Sequence, residues 1–250
     1  MLRYLRLALA IACPLLSVNY GFGAEQERGG AAVIRSADFP SLQAALDAIP
    51  PAGGELRLAP GTVEIDQPLR LHRSDVRIIG AGTSTHIVNK NQEGEPAWLV
   101  TPSPEDIERN SKADLWRVQF QDLRITGNPK SGNGIEARKI NELHLQGITV
   151  SYHGGDGVAM IDCYEDPRIV ACLFTYNKRC GVLLENCHDI VVSANQFEEN
   201  EDALRCTNSF NLCMNGNNLD DHLRHGVIIE NTYGSVLSGN MIEECNGTAI

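Results

Sequence analysis

The sequence predicts a parallel β-solenoid, and three observations carry that prediction. From Gly134 onward one pattern returns about five times: Gly134-Ile135, Gly157-Val158, Gly181-Val182, Ala203-Leu204 and Gly226-Val227 are spaced by 23, 24, 22 and 23 residues. Within each copy apolar residues alternate in short pairs such as Val182/Leu184 and Val227/Ile229, and period-two pairs of this length are strands rather than helical turns. Each copy closes on a small-residue corner and one large apolar residue, namely Val150, Phe174, Phe197, Leu219 and Ile242. A repeat of about 22 residues, built of three short strands and their corners, is one coil of a solenoid.

Neighbouring coils sit about 4.8 Å apart, so residues at one coil position form a column along the axis. Asn195, Asn217 and Asn240 each lie two residues before the large apolar residue and are expected to stack inward, each amide bonding its neighbours. Tyr164, His188, Phe210 and Tyr233 form a mostly aromatic column. Facing outward it is a stacking platform for pyranose rings; facing inward, the orientation expected for a column this regular, it is part of the core.

Taken in order, residues 1–24 read as an export signal: Arg3 and Arg6, an apolar run from Leu7 to Leu16, then small residues at Gly23 and Ala24. Cys13 after Ala10-Ile11-Ala12 offers a lipid anchor as the alternative to plain export. The chain is therefore expected to be secreted or to reside in the periplasm or cell envelope, with no transmembrane segment in its mature part. Its 250 residues carry a net charge of −11, and no concentrated basic patch is visible, which argues against nucleic acid as a partner.

Phe39 to Ile49 has apolar residues at helical spacing and stops at Pro50-Pro51-Ala52-Gly53-Gly54, so a capping helix is expected over about 39–49. Glu55 to Leu58, Leu69 to Leu71 and Val76 to Gly82 read as first, less regular coils, with regular coils from about 132. Residues 91–114, rich in Pro and charge, are a longer excursion of the kind that walls a binding face. Trp116 to Thr126 resumes the strands. Cys163 and Cys187 fall at one coil position, within the Cα range of a disulfide; buried thiols in the core are the other reading. A new coil starts at Gly247 and stops at Ile250, so further coils or a partner are expected to cover that end.

The segments Phe39 to Asp47, Gly53 to Thr62 and Val76 to Gly82 resemble the opening of the pectin-lyase-like right-handed β-helix superfamily. The repeats from Gly134 resemble its carbohydrate-binding and sugar-hydrolase repeats. The resemblance implies a single-stranded right-handed parallel β-helix over residues 25–250 with a short N-terminal capping helix. It implies an extracellular polysaccharide as partner and leaves the activity open, because lyases, hydrolases, epimerases and non-catalytic proteins share the scaffold.

Two sets of columns bear on chemistry. Glu198-Glu199, Asp220-Asp221 and Glu243-Glu244 follow the large apolar residue of three successive coils. Carboxylates about 5 Å apart repel by about 0.8 kcal/mol in water and about 3 kcal/mol at a protein surface. That cost favours a bound cation, raised carboxyl pKa values or splayed side chains; oxygen ligands alone suit Ca²⁺. The plain alternative is a solvated acidic edge. The second set lies before the first strand of each coil: Asn133, Asp156, Cys180, Asp202, His225 and Asn246.

Asp202 and His225 belong to neighbouring coils, with Arg205, Thr207, Glu185 and Glu230 on outward strand positions and Tyr233 beyond. Carboxylate, imidazole and guanidinium on one open face are the components of proton transfer on a sugar ring, although any polar solenoid face offers some acid near some base. Asn200-Glu201-Asp202, Asp220-Asp221 and His225-Gly226 are similar in fragments to polygalacturonase signatures, but the spacing departs from that pattern and no Arg-x-Lys follows. Asp166-Pro167-Arg168 only approaches the Asp-Pro-His-Asp of alginate epimerases. In the pectate-lyase type a carboxylate-held Ca²⁺ acidifies the uronate proton and an Arg removes it, which implies Ca²⁺ on the acidic columns and that part for Arg205. From the columns themselves, Asp202, Arg205 and His225 are the candidate catalytic residues, with Arg205 or His225 as base and Glu185, Thr207, Glu230 and Tyr233 against the sugar. The competing expectation is a non-catalytic surface solenoid used for adhesion or as a spacer.

Overall fold

Alternation builds each coil. In the strand Cys180–Glu185, Val182 and Leu184 are buried while Glu185 is exposed, and the same parity holds in Asp202–Thr207 above it, where Leu204 and Cys206 are buried. A strand with one apolar face is stable only when that face is covered, and three such strands per turn enclose their own core. The computed structural model describes residues 31–250, which wind into a right-handed parallel β-helix. The export signal and Cys13 lie outside the described residues.

The three strands of each turn stack into a nine-stranded sheet from Val33–Arg35 to Val236–Ser238, an eight-stranded sheet from Gly61–Ile65 to Met241–Ile242, and a seven-stranded sheet from Leu69–Leu71 to Val227–Glu230. Register follows the repeat: Val158, Val182, Leu204 and Val227 pair in succession, as do Val150, Phe174, Phe197, Leu219 and Ile242. Coils are in register from Gly54 onward, earlier than the expected start near 132. The core is a stack of these columns, with Trp98 edge-on to Phe120 at 5.0 Å and Phe174 over Phe197 at 5.2 Å.

Polar ladders line two corners. Asn217 Oδ1 accepts both the main-chain N–H of Asn195 at 3.0 Å and its Nδ2 at 2.9 Å, and Asn240 Oδ1 does the same for Asn217 at 3.1 and 2.9 Å. This is the expected inward asparagine stack. A second ladder, His153, Asn177, Asn200 and His222, fills the corner ahead of the seven-stranded sheet, and all four residues are buried. Cys163 and Cys187 stack as expected and are buried free thiols, each donating to main-chain carbonyls.

Between the sheets the chain turns through single residues of left-handed conformation. Tyr152, Tyr176, Glu199, Asp221 and Glu244 form one such column, with φ between 48° and 59°. Gly157 and Gly181 are required for a different reason: a Cβ at either would lie 2.6 and 2.8 Å from the carbonyl oxygen of the next coil. Differences in coil length fall in the corners. Glu165-Asp166 stands where the next coil has Asp189 alone, and Leu223-Arg224 stands where the coil before has Glu201 alone, while the flanking strands keep register.

At the start, the predicted helix is α1, Leu42–Asp47, shorter than 39–49 because the Ser41 hydroxyl accepts the N–H of Ala44 and fixes the first turn after an extended Phe39-Pro40. Leu42, Ala45 and Leu46 face the core. Gln43 bonds both the N–H and the carbonyl of Arg70, at 2.8 and 3.1 Å, in the place a strand would take at that sheet edge. The 91–114 stretch is not one excursion: Trp98–Val100 within it pairs with Leu69–Leu71 and Ile135–Arg138 in the seven-stranded sheet, so the chain leaves the stack only on either side of that strand. The stretch contains a second helix, α2, Pro104–Arg109, and touches Lys130, Gly132 and Lys139. It walls the coil of Asn133, three coils before Asp202.

Candidate functional site

The margin of the seven-stranded sheet is a chain of side-chain to backbone hydrogen bonds that climbs from coil to coil. Asn133 Oδ1 accepts the N–H of Asp156 at 2.8 Å, Asp156 Oδ1 that of Cys180 at 2.9 Å, Asp202 Oδ1 that of His225 at 3.0 Å, and His225 Nδ1 that of Thr248 at 3.0 Å. Each link satisfies a main-chain donor at a corner, where the sheet ladder has ended. Asp156 and Asp202 are 1% and 2% exposed. Buried carboxylates need counter-charges, and arginines supply them.

Arg179 Nε lies 3.7 Å from Asp156, Arg205 Nη2 3.4 Å from Asp202 Oδ2, and Arg224 Nε 3.9 Å from Asp202 Oδ1 while its Nη1 bonds Glu201 at 3.0 Å. The carboxylates are inside and the guanidinium groups outside: the three arginine side chains are 60%, 32% and 47% exposed. Burial pushes the Asp156 carboxyl up against the opposing pull of Arg179. The Cys180 thiol, between the two aspartates, is pushed up to about 12 by burial and their charge, so it is no nucleophile at neutral pH.

Of the three residues expected to be catalytic, the structure brings Asp202 and Arg205 together. It joins His225 to Asp202 only through the main chain; the imidazole turns to Thr248, bonding its hydroxyl at 2.9 Å. Glu185, Thr207 and Glu230 stand outward in register at the far end of the same strands.

The acidic columns are in register as read: Glu198 pairs with Asp220, and Glu243 follows on the next strand. Glu199, Asp221 and Glu244 occupy the left-handed corner and edge an open cavity of about 550 Å³. The Glu244 carboxyl is raised by its hydrogen bond with Asp221 and by the neighbouring carboxylate charges. Among the described residues no group of three or more His, Cys, Asp and Glu side chains converges to hold a metal ion.

The aromatic column faces outward, against the expectation of a core stack. Phe210 and Tyr233 are 41% and 60% exposed, while Tyr164 and His188 are half-buried. These residues sit on a corner, where strand alternation no longer dictates direction. A second stacked pair, Tyr152 over Tyr176 at 4.9 Å, stands beside the acidic corner. Only two coils carry it, so the sequence shows no column at that position.

A family model described as periplasmic copper-binding protein (NosD) matches residues 119–250, more than half of the chain. The chain belongs to the NosD family. Among solved structures it is similar to the A-module of mannuronan C-5 epimerase AlgE6 of Azotobacter vinelandii, with a TM-score of 0.61 and 17% identity over 86% of this chain and 68% of that one. It is also similar to ORF18 of Geobacillus virus E2, with a TM-score of 0.57 and 15% identity over 80% of this chain and 50% of that one. These identities show the fold alone. In sequence, 129 residues are 26% identical to the RNA-binding E3 ubiquitin-protein ligase MEX3C of Mus musculus, covering 47% of this chain and 18% of that protein. The NosD-family chain thus spans about a fifth of its curated relatives and half of ORF18.

The family description names copper, and the donors described here do not fit that metal. Cu(I) favours thiolates and Cu(II) imidazoles. Contact with Cys163 and burial hold the Cys187 thiol well above its usual range, burial holds Cys172 at about 11, and among the described residues these thiols converge with no set of three His, Cys, Asp or Glu side chains. His153 and His222 are buried three coils, about 14 Å, apart. Among the described residues no helix is long and apolar enough to cross a membrane.

Proposed function

We propose that this NosD-family β-helix binds an anionic, uronate-containing polysaccharide of the cell envelope at the arginine margin of its seven-stranded sheet. The observation that carries the reading is the pair of buried carboxylates, Asp156 and Asp202, ion-paired with three arginines that reach solvent on consecutive coils. Arg205, hydrogen-bonded to Asp202, and Arg224, hydrogen-bonded to Glu201, each have one side of the guanidinium engaged and keep their remaining N–H donors for a second carboxylate, at reduced entropic cost on binding. Stacked coils repeat that offer along the axis, which suits a polymer whose units repeat. The fold shared with a mannuronan epimerase agrees with this reading without carrying it.

Binding without turnover makes the protein an adhesive or organising solenoid. The lyase or epimerase form asks Arg205 to act as base beside a Ca²⁺ on the acidic columns, and in this structure Arg205 is already engaged with Asp202. Titration of polygalacturonate and polymannuronate oligomers into the protein by calorimetry, with calcium and with chelator, tests both forms. We expect binding that weakens as salt rises and falls at least tenfold in an Arg205→Ala/Arg224→Ala variant. Absence of binding to either oligomer overturns the proposal, and appearance of unsaturated uronate ends on incubation restores the lyase.

A further inference from the structure

We propose that the corner following the seven-stranded sheet, at the level of Phe210 and Tyr233, is a second binding face whose ligand is an uncharged polysaccharide. Phe210 is bridged through its backbone to His188 and Tyr233, and its ring lies 4.7 Å and 5.4 Å from theirs. Carbon atoms in contact need only about 3.5 Å, so rings held 5.4 Å apart and inclined by 25° each show part of a face as well as an edge. That exposes apolar surface suited to the C–H face of a pyranose.

The columns flanking the rings change character along the axis. One begins with Asp162 and continues as Asn186, Asn208 and Asn231; the other runs from Asp189 to Asn211 and Gly234. At the level of Phe210 and Tyr233 both columns are therefore amide or glycine, on a chain of net charge −11. The amides are oriented: Asn231 Nδ2 donates to Asn208 Oδ1 at 2.8 Å, Tyr233 Oη donates to Asn231 Oδ1 at 3.1 Å, and Asn211 Nδ2 donates to Asp189 Oδ1 at 2.7 Å. Each of these Nδ2 groups keeps a second N–H free, and each amide oxygen keeps a lone pair, which together match sugar hydroxyls. With no Lys or Arg in these columns an anionic chain has no counter-charge here, so this corner and the arginine margin select different polymers.

Affinity electrophoresis of the full chain in gels containing hydroxyethylcellulose, glucomannan or polygalacturonate tests the proposal. We expect retardation in at least one neutral gel and a roughly tenfold weaker interaction in Phe210→Ala/Tyr233→Ala, the size expected for losing two aromatic contacts. Asn231→Asp keeps both rings, and we expect it to weaken neutral binding as well. Arg205→Ala/Arg224→Ala should lose polygalacturonate and keep the neutral polymers, so the two faces fail separately. Unretarded migration in both neutral gels, or a ring variant that runs as the wild type does, overturns the second face.

Discussion

Asp202 Oδ1 accepts the main-chain N–H of His225 at 3.0 Å, while the His225 imidazole turns the other way to Thr248. Two residues that look like an acid–base pair in sequence are thus successive links in a structural chain. Asp202→Ala strands the part-buried N–H of His225, leaves Arg205 without its carboxylate partner and leaves Arg224 with Glu201 alone. We expect a loss of about 3 kcal/mol in urea unfolding, against less than about 1 kcal/mol for His225→Ala, whose ring bonds lie at the surface.

Two buried histidines make stability depend on acid. Burial lowers the pKa of His153 to about 4 and lowers that of His222, and each leaves Nε2 without a partner in the structure. Between about 6.5 and 4 the unfolded chain binds the proton that His153 refuses, so stability is full above about 6.5 and is lost as pH falls through that window. The His153 contribution is of order 3 kcal/mol. Urea unfolding at pH 7 and pH 4.5 should show the loss, and His153→Asn, which extends the asparagine ladder, should flatten the profile.

The asparagine ladder is expected to be costly to interrupt. Asn217 receives two hydrogen bonds from Asn195 and donates to the carbonyl of Val192 at 3.0 Å, so Asn217→Ala orphans three buried groups. A loss of about 3 kcal/mol or more is expected. Asn240, which is only half-buried, should cost less in the same assay.

Glu244 should report on Asp221. Carboxyl titration followed by NMR is expected to show Glu244 above the ordinary glutamate range in the wild type and back toward it in Asp221→Asn, since the hydrogen bond with Asp221 causes the shift. An unchanged Glu244 would show that the two side chains stand apart in solution.

Much of this was legible because a solenoid repeats. The apolar columns, the Asn195/Asn217/Asn240 stack and the acidic columns were each visible as one residue type at one spacing. The ladder of His153, Asn177, Asn200 and His222 was missed because its members share a location and a hydrogen-bonding role but not a side chain. The direction of the aromatic column is not legible in sequence because Phe210 and Tyr233 sit at a corner, outside the rule that alternates strand residues in and out. The arginine margin was half visible: Asp202 and Arg205 were singled out, whereas Arg179 and Arg224 matter only once Asp156 and Asp202 are known to be buried.

Length differences between coils fall between the strands, in the loops on either side of Trp98–Val100 and in the corners at Glu165-Asp166 and Glu201, and the flanking strands keep step. The three sheets therefore act as a fixed frame, and the corners act as margins in which a residue can be added or dropped without disturbing the frame. The short corner is Glu201, one residue fewer than Lys178-Arg179 before it and Leu223-Arg224 after it, and each of the longer corners places an arginine beside the buried carboxylate of the coil before. A change of ligand in this family then needs no redesign of the core: one residue added or dropped at a turn decides whether an arginine stands beside the buried carboxylate of the coil before.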